Sequence, residues 1–313
     1  MTPQRHLNAN WFVDARLKLR HLQLLEAFAR SSTLQDAAAS IGISQPAASK
    51  LLHDLEDMIG VPLLEQVGRK VRYNTFGSIL TERATAILKE LDRARDSINA
   101  VLDGHSGRVS IGAIDGPAVD YVTQALIILQ AEYPQIDLEI STGSSASLFR
   151  ELKSGTIDIM IGRPDEDMSP SAYEYDPIGR EPMVLAARCD HPLAQGGPHA
   201  LATLLHYPWI LQRRGGRSRL RLEQLFRDAH LSLPRFVIGS DSLVITLSYI
   251  AQTDALTILS EPVARHQASF GQIAFIPNGL DLSISTYGLI LSRERPLTFV
   301  AARVLTVLRQ TMR

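Results

Sequence analysis

Ile43-Ser44-Gln45-Pro46-Ala47-Ala48-Ser49-Lys50 is the stretch on which the fold turns. Ser44 is a residue type whose side-chain oxygen closes the open N–H groups at a helix start, and Pro46 is tolerated in a first turn. Ala48, Leu52, Leu55 and Ile59 then recur at i, i+4, i+7 and i+11, an apolar stripe that turns inward. Pro46, Ser49, Lys50 and His53 lie on another side and are small, polar or cationic. Upstream, Leu34–Ile41 reads as a short alanine-rich helix, with Ser32 or Thr33 as its cap and Gly42 ending it. Before that, Leu22, Leu25 and Ala29, and also Leu24 and Phe28, keep helical spacing within Leu17–Ser31. A helix of about 16 residues joined by a short glycine turn to a shorter one predicts helix-turn-helix geometry.

Downstream, Val61–Tyr73 holds Pro62, Gly68 and the cluster Arg69-Lys70-Val71-Arg72, which predicts a short β-wing. A long helix follows from Phe76 to about Leu102. Along it Leu80, Ala84, Ile87, Leu91, Ala94, Ile98 and Val101 alternate steps of four and three, flanked by Arg83, Glu90, Arg93, Arg95 and Asp96. That heptad seam predicts self-association. Asp103-Gly104-His105-Ser106-Gly107 reads as a linker. Past it, short apolar strands at 109–114, 136–140, 157–161, 183–187, 209–211, 236–238, 256–259, 273–276 and 283–291 alternate with helices. This predicts an α/β domain of mostly parallel sheets covered by helices.

The 313 residues are 45% apolar and 21% charged, with a net charge of −1, so total charge selects no partner. From Leu17 to Arg72 seven basic residues face six acidic ones. DNA binding therefore has to come from where the charges sit. No apolar run reaches the ~18 residues of a membrane span. Met1–Arg20 mixes Arg5, Arg16, Lys18 and Arg20 with Asp14 and does not read as a secretory signal. The single cysteine, Cys189, excludes an intrachain disulfide and a Cys-based zinc cluster. The expectation is a cytoplasmic protein with no cofactor, no metal and no membrane contact.

From Leu17 to about Leu102 the chain resembles the N-terminal region of LysR-type transcriptional regulators. The residues that carry the resemblance are Leu19-Arg20-His21-Leu22, Ala37-Ala38, Ile43 to Lys50, Leu55-Glu56, Gly60 and Pro62-Leu63-Leu64-Glu65. Two positions depart from the pattern. Gln66 stands where the family often has arginine, and Tyr73-Asn74-Thr75-Phe76-Gly77 replaces Leu-Thr-x-x-Gly. Both bear on individual wing–phosphate contacts and not on the fold. The resemblance is nearest to members that control sugar uptake or aromatic-acid catabolism. It implies an all-α winged helix-turn-helix at 17–75, a linker helix at 76–103 and an effector domain at 108–313. The last resembles periplasmic binding proteins, with two Rossmann-like subdomains, 108–163 plus 266–313 and 164–265, around a cleft.

The chemistry of the first helix pair agrees with that resemblance. Gln45 suits adenine, Pro46 a thymine methyl, Ser49 a base or phosphate, and Lys50 guanine or the backbone. The resemblance assigns base reading to Gln45, Pro46, Ser49 and Lys50, with His53 one turn further on. Arg69, Lys70 and Arg72 suit phosphates, which position the protein without specifying sequence. In α/β sheets ligands gather at strand C-termini and helix N-termini. That brings Asp115, Gly116, Ser144, Ser145 and Arg163 into view from one subdomain and Gln212, Ser240 and Asp241 from the other. Ser144 and Arg163 suit a carboxylate or phosphate, whereas Asp115 and Asp241 suit the hydroxyls of a sugar or polyol. The competing role for Ser144, Ser145, Ser240 and Asp241 is helix capping, and for Arg163 a surface ion pair.

The resulting reading is an effector-responsive regulator. Its partners are double-stranded promoter DNA, a small molecule (organic acid, aromatic acid or sugar), RNA polymerase and further copies of itself as homodimer or homotetramer. Two alternatives are a two-lobed α/β enzyme and a ligand-independent DNA-binding protein. No nucleophile–base grouping emerges to support the enzyme, and a ligand-independent binder gives the α/β domain no purpose.

Overall fold

Three side-chain caps organise the first part of the computed structural model, which describes residues 7, 11–14, 17–31, 33–68, 70–103 and 107–312. After α1 (Trp11–Asp14) and α2 (Leu19–Arg30), the Thr33 hydroxyl accepts from the Asp36 N–H at 3.1 Å and opens α3 (Leu34–Ser40). Ser44 accepts from the Ala47 N–H at 3.4 Å and opens α4 (Gln45–Ile59). Between them Gly42 holds a φ of 69°, a turn that a β-carbon would strain. The wing is the antiparallel pair β1 (Leu64–Val67) and β2 (Lys70–Tyr73). Asn74 Oδ1 then accepts from the Gly77 N–H at 3.0 Å at the start of α5 (Thr75–Asp103). The departure at Asn74 thus keeps a capping side chain. Ser32, Arg69 and residues 104–106 of the expected linker lie outside the described residues.

Leu22, Leu25, Leu55, Leu63 and Ala84 form one buried cluster, and Leu24, Phe28, Ala37, Ala38 and Ala48 a second. The α4 stripe therefore turns inward as its spacing predicts. Tyr73 locks the wing to α2: its ring meets Phe28 edge-on at 5.2 Å and its hydroxyl donates to the Leu25 carbonyl at 2.7 Å. Burial pushes its phenol up to about 12, so it remains a donor at neutral pH. Tyr73→Phe should cost about 1 kcal/mol in chemical denaturation, the net worth of one such bond. An unchanged midpoint would show that the bond contributes nothing.

The α5 seam divides in two. Leu80 and Ala84, counted in the expected seam, pack with Leu88 into the first cluster. Ile87, Leu91 and Ile98 are 47%, 47% and 61% exposed. A 3.5-residue spacing describes a groove on a neighbouring domain as well as a partner helix, so the N-terminal end of the seam is used within the winged core. The side chain of Val101 lies outside the described residues.

The chain divides into two compact units: the described residues up to Gly107 with Arg150–Ile157, and Arg108–Phe149 with Asp158 onward. The elements after α5 begin with β3 (Gly107–Ala113), α6 (Asp115–Pro117), a π-turn (Ala118–Val122) and α7 (Thr123–Glu132). They continue with β4 (Ile136–Thr142), α8 (Ser145–Ser154), β5 (Ile159–Gly162), β6 (Tyr173–Glu181), β7 (Met183–Arg188) and α9 (Leu201–Leu204). Next come β8 (Trp209–Leu211), α10 (Arg217–Asp228), β9 (Val237–Gly239), α11 (Leu243–Ile250), β10 (Thr257–Ser260) and α12 (Glu261–Ser269). The last are β11 (Ile273–Phe275), β12 (Ile284–Ser292) and α13 (Phe299–Thr311).

One five-stranded sheet runs β4-β3-β5-β12-β6, and a three-stranded sheet runs β10-β7-β11. The parallel pair β8-β9 joins the second sheet through a bridge between Trp209 and Leu256. The expected mostly parallel pairing holds for β3/β5 and β8/β9, whereas β12 runs antiparallel to β5 and β6, and β7 antiparallel to β10 and β11. The unexpected member is β6. Pro177, which has no N–H to donate, obscures a strand that sits at the sheet edge, where proline is tolerated. Because β6 pairs with β12 and β11 with β7, sheet membership changes at Glu181–Met183 and between Phe275 and Ile284.

Candidate nucleic-acid interface and effector cleft

Gln45, Pro46, Ser49, Lys50 and His53 are all exposed on α4. At about 100° per residue they occupy an arc of about 140°, and Ala48, Leu51, Leu52 and Leu55 fill the opposite side. The same helix therefore anchors itself with one face and presents donors and acceptors with the other. His53 is partly engaged, since its Nε2 lies 3.5 Å from Asp57 Oδ2 one turn on. On the wing, Arg72 is exposed and stands opposite Glu65, with 3.8 Å between Nε and Oε1. Lys70 belongs to β2, but its side chain, like the whole of Arg69, lies outside the described residues.

The effector candidates separate into two groups. Asp115, Gly116, Ser145 and Arg163 come together where β3 and β5 end. Ser145 Oγ accepts from the Arg163 N–H at 3.1 Å. Arg163 forms an ion pair, as its competing reading had it, but a buried one instead of a surface one. Its guanidinium pairs with Glu181 and donates to the Ser285 carbonyl at 3.1 Å, and the two paired side chains are only 6% and 8% exposed. Burial raises the Glu181 carboxyl; Arg163 opposes that rise and the charge of Asp115 adds to it. Glu181 closes β6, so a strand without a sequence signature hid this partner. Ser260, at the end of β10, is a further polar group that residue patterns did not single out.

The second group sits around β8 and β9. Gln212 Oε1 accepts from both the N–H and the hydroxyl of Ser218, at 3.2 and 2.8 Å. Asp241 pairs with Arg213, whose N–H it also accepts at 3.1 Å, and the arginine holds its carboxyl below the usual range. Ser240 Oγ accepts from the Ser242 N–H at 3.1 Å, and Ser144 Oγ from the Ser147 N–H at 3.2 Å. Ser144 thus caps the start of α8, the competing role named for it, whereas Ser240 bonds the turn before α11, whose cap is Ser242. Arg217 Nη1 donates to Ser285 Oγ at 3.3 Å, linking α10 to β12.

Asp115 is exposed, yet the protein around it removes enough water to raise its carboxyl. A carboxyl raised on folding contributes stability fully below its ordinary value near 4 and loses that contribution as pH climbs through the raised value. Asp115→Asn should therefore match the wild type in thermal unfolding near pH 4 and exceed it at pH 7. A difference that is the same at both pH values would contradict this.

Among the described residues no helix is long and apolar enough to cross a membrane, and no group of three His, Cys, Asp or Glu could hold a metal ion. Residues 19–78 match the family model "Bacterial regulatory helix-turn-helix protein, lysR family", and residues 102–313 match "LysR substrate binding domain". The chain is 39% identical over 310 residues to the transcriptional regulator GbpR of Azospirillum brasilense, covering 99% of this chain and 90% of that protein. It is 30% identical over 267 residues to the regulator PcaQ of Agrobacterium fabrum, covering 85% of each. These relatives are named as transcriptional regulators and not as enzymes. The solved structure of CbnR, a LysR family regulator, shares the fold with a TM-score of 0.71 at 22% identity, covering 95% of this chain and 100% of that one. CbnR complexed with its target DNA aligns with a TM-score of 0.67 at the same identity and covers 95% of this chain and 100% of its own. The chain belongs to the LysR family of DNA-binding transcriptional regulators and combines its helix-turn-helix with its substrate-binding domain.

Proposed function

We propose that the protein binds promoter DNA as an oligomer, in the cytoplasm, and is switched by a small metabolite held in the C-terminal domain. The metabolite is an organic acid, an aromatic acid or a sugar, and the controlled genes serve its uptake or breakdown. The DNA-binding domain is 17–75, the linker helix 76–103 and the effector domain 108–313. Gln45, Pro46, Ser49 and Lys50 read bases, His53 assists, and Arg69, Lys70 and Arg72 hold phosphates. Asp115, Gly116, Ser144, Ser145, Arg163, Gln212, Ser240 and Asp241 form the effector site, with Arg163 acting through Ser145 and Glu181. Effector binding changes the spacing of paired DNA-binding domains through α5 and with it the access of RNA polymerase. The observation that carries the reading is α4, whose exposed arc is polar and whose opposite arc is buried.

Oligomerisation rests on the exposed remainder of the α5 seam, Ile87, Leu91 and Ile98. Leu91→Asp should lower the mass seen by light scattering by at least half. It should also weaken binding to a full site, because two linked half-site contacts become one. An unchanged mass would remove α5 from the interface.

A further inference from the structure

Ser260 is 5% exposed, and its hydroxyl has no hydrogen-bond partner among the described residues. It stands at the end of β10 and at the N-terminus of α12, whose first N–H it does not cap. Its neighbours are informative. A β-carbon on Gly116 would lie 3.0 Å from Glu181 Oε1 and 3.2 Å from Ser260 Oγ, so the absence of a side chain at 116 keeps these two groups close to the backbone of α6. Glu181 spends its other oxygen, Oε2, on Arg163. Asp115 adjoins Gly116 and is open to solvent. The helix that starts at Asp115 continues through the π-turn and α7 to Glu132, so its first turn carries the dipole of a long helix.

This set is poor in free positive charge. The charges of Arg163 and Glu181 offset each other, and what remains is the Asp115 carboxylate, the second oxygen of Glu181, the Ser260 hydroxyl and the backbone N–H groups of a helix start. A carboxylate ligand would meet the like charge of Asp115, while the charge of Arg163 is already matched by Glu181. A ligand hydroxyl suits every group present: it donates to a carboxylate oxygen and accepts from Ser260 or a backbone N–H.

We propose that Asp115, Gly116, Glu181 and Ser260 form a hydroxyl-reading subsite that selects a neutral polyhydroxylated effector, a sugar or polyol, over its carboxylate counterpart. The proposal rests on the effector reading above and narrows its chemical class. Because the Ser260 oxygen is buried, seating the ligand has to open its surroundings, and it then gives that hydroxyl the partner it lacks. The π-turn Ala118–Val122 immediately follows the subsite, and such turns recur at functional positions in helices. There Tyr287 donates to the Tyr121 hydroxyl at 3.3 Å and Thr311 to the Tyr121 carbonyl at 3.2 Å, which ties the turn to β12 and α13.

The test uses full-length protein and matched probes: D-glucose, D-xylose and D-mannitol against D-gluconate, D-xylonate and benzoate, each up to 100 mM. Thermal shift and calorimetry read binding, and protection of the upstream DNA reads the response. At least one neutral probe should bind and shift the protected region, with its acid at least tenfold weaker. Ser260→Ala should raise the unfolding temperature of the free protein, by deleting a buried unsatisfied hydroxyl, and weaken the neutral probe at least tenfold. Asp115→Asn should weaken it similarly. Those opposite signs for Ser260→Ala separate ligand recognition from a structural role. Binding by acids alone overturns this proposal while the effector reading stands. No binding by any probe overturns the proposed chemistry and counts against the effector reading too. Unchanged neutral-probe affinity in both variants removes these residues from the site.

Discussion

Lys50→Ala should weaken binding of the full-length protein to its operator by about tenfold to a hundredfold, leaving the fold intact. Lys50 is exposed at the edge of the polar arc of α4 and makes no ion pair among the described residues, so its removal takes nothing from the core. Truncation of a surface side chain of this kind stays within about 0.5 kcal/mol in stability. Sequence dependence separates the two roles open to the ammonium. If it reads guanine, the loss concentrates at one base pair. If it holds a phosphate, all sites weaken alike and the salt slope falls by about one. Ser49→Ala, which removes one short hydroxyl from the middle of the arc, should produce a smaller loss of the same kind. Unchanged affinity of Lys50→Ala for a mapped operator would remove α4 from the major groove.

The largest stability effect is expected at Glu181. Glu181→Ala strands the Arg163 guanidinium in a site where only 6% of its side chain meets solvent. Breaking one partner of such a pair costs about 3–5 kcal/mol. The attraction does not make the intact pair a large net stabiliser, since burial raises the Glu181 carboxyl despite the adjacent arginine. A double replacement, Arg163→Met with Glu181→Leu, should therefore recover most of what Glu181→Ala loses. Denaturant midpoints of the single and double variants test this. Additive losses would mean that the two side chains act independently and that the contact is incidental. The pair also governs the crossover, because Glu181 ends the last strand of the five-stranded sheet before Met183 starts the next.

How far residues alone carry the fold depends on where each signal is local. Thr33, Ser44 and Gly42 act within four residues of their own position, and the two helices they bound are where their patterns put them. The apolar spacing of α4 specifies its buried face for the same reason. The end of the α5 seam needed tertiary context, because Leu80 and Ala84 meet Leu22, Leu25 and Leu55 from far earlier in the chain. β6 escaped notice because it is polar, carries Pro177 and draws its stability from β12 more than a hundred residues away. With β6 unseen, Glu181 had no address, and an ion pair at Arg163 had neither a named partner nor a buried setting. Ser260 gave no signal either: one serine between β10 and α12 becomes unusual only when its neighbours leave its hydroxyl without a partner.

DNase I footprinting of the full-length protein on its own upstream region, at low and moderate salt, tests the central claim most directly. A two-fold protected site is expected, as dimeric helix-turn-helix proteins produce. Lys50→Ala should lose that protection at protein concentrations where the wild type keeps it, and its extent should shift with one metabolite. Absence of protection at low salt, or an identical footprint from Lys50→Ala, would contradict the account.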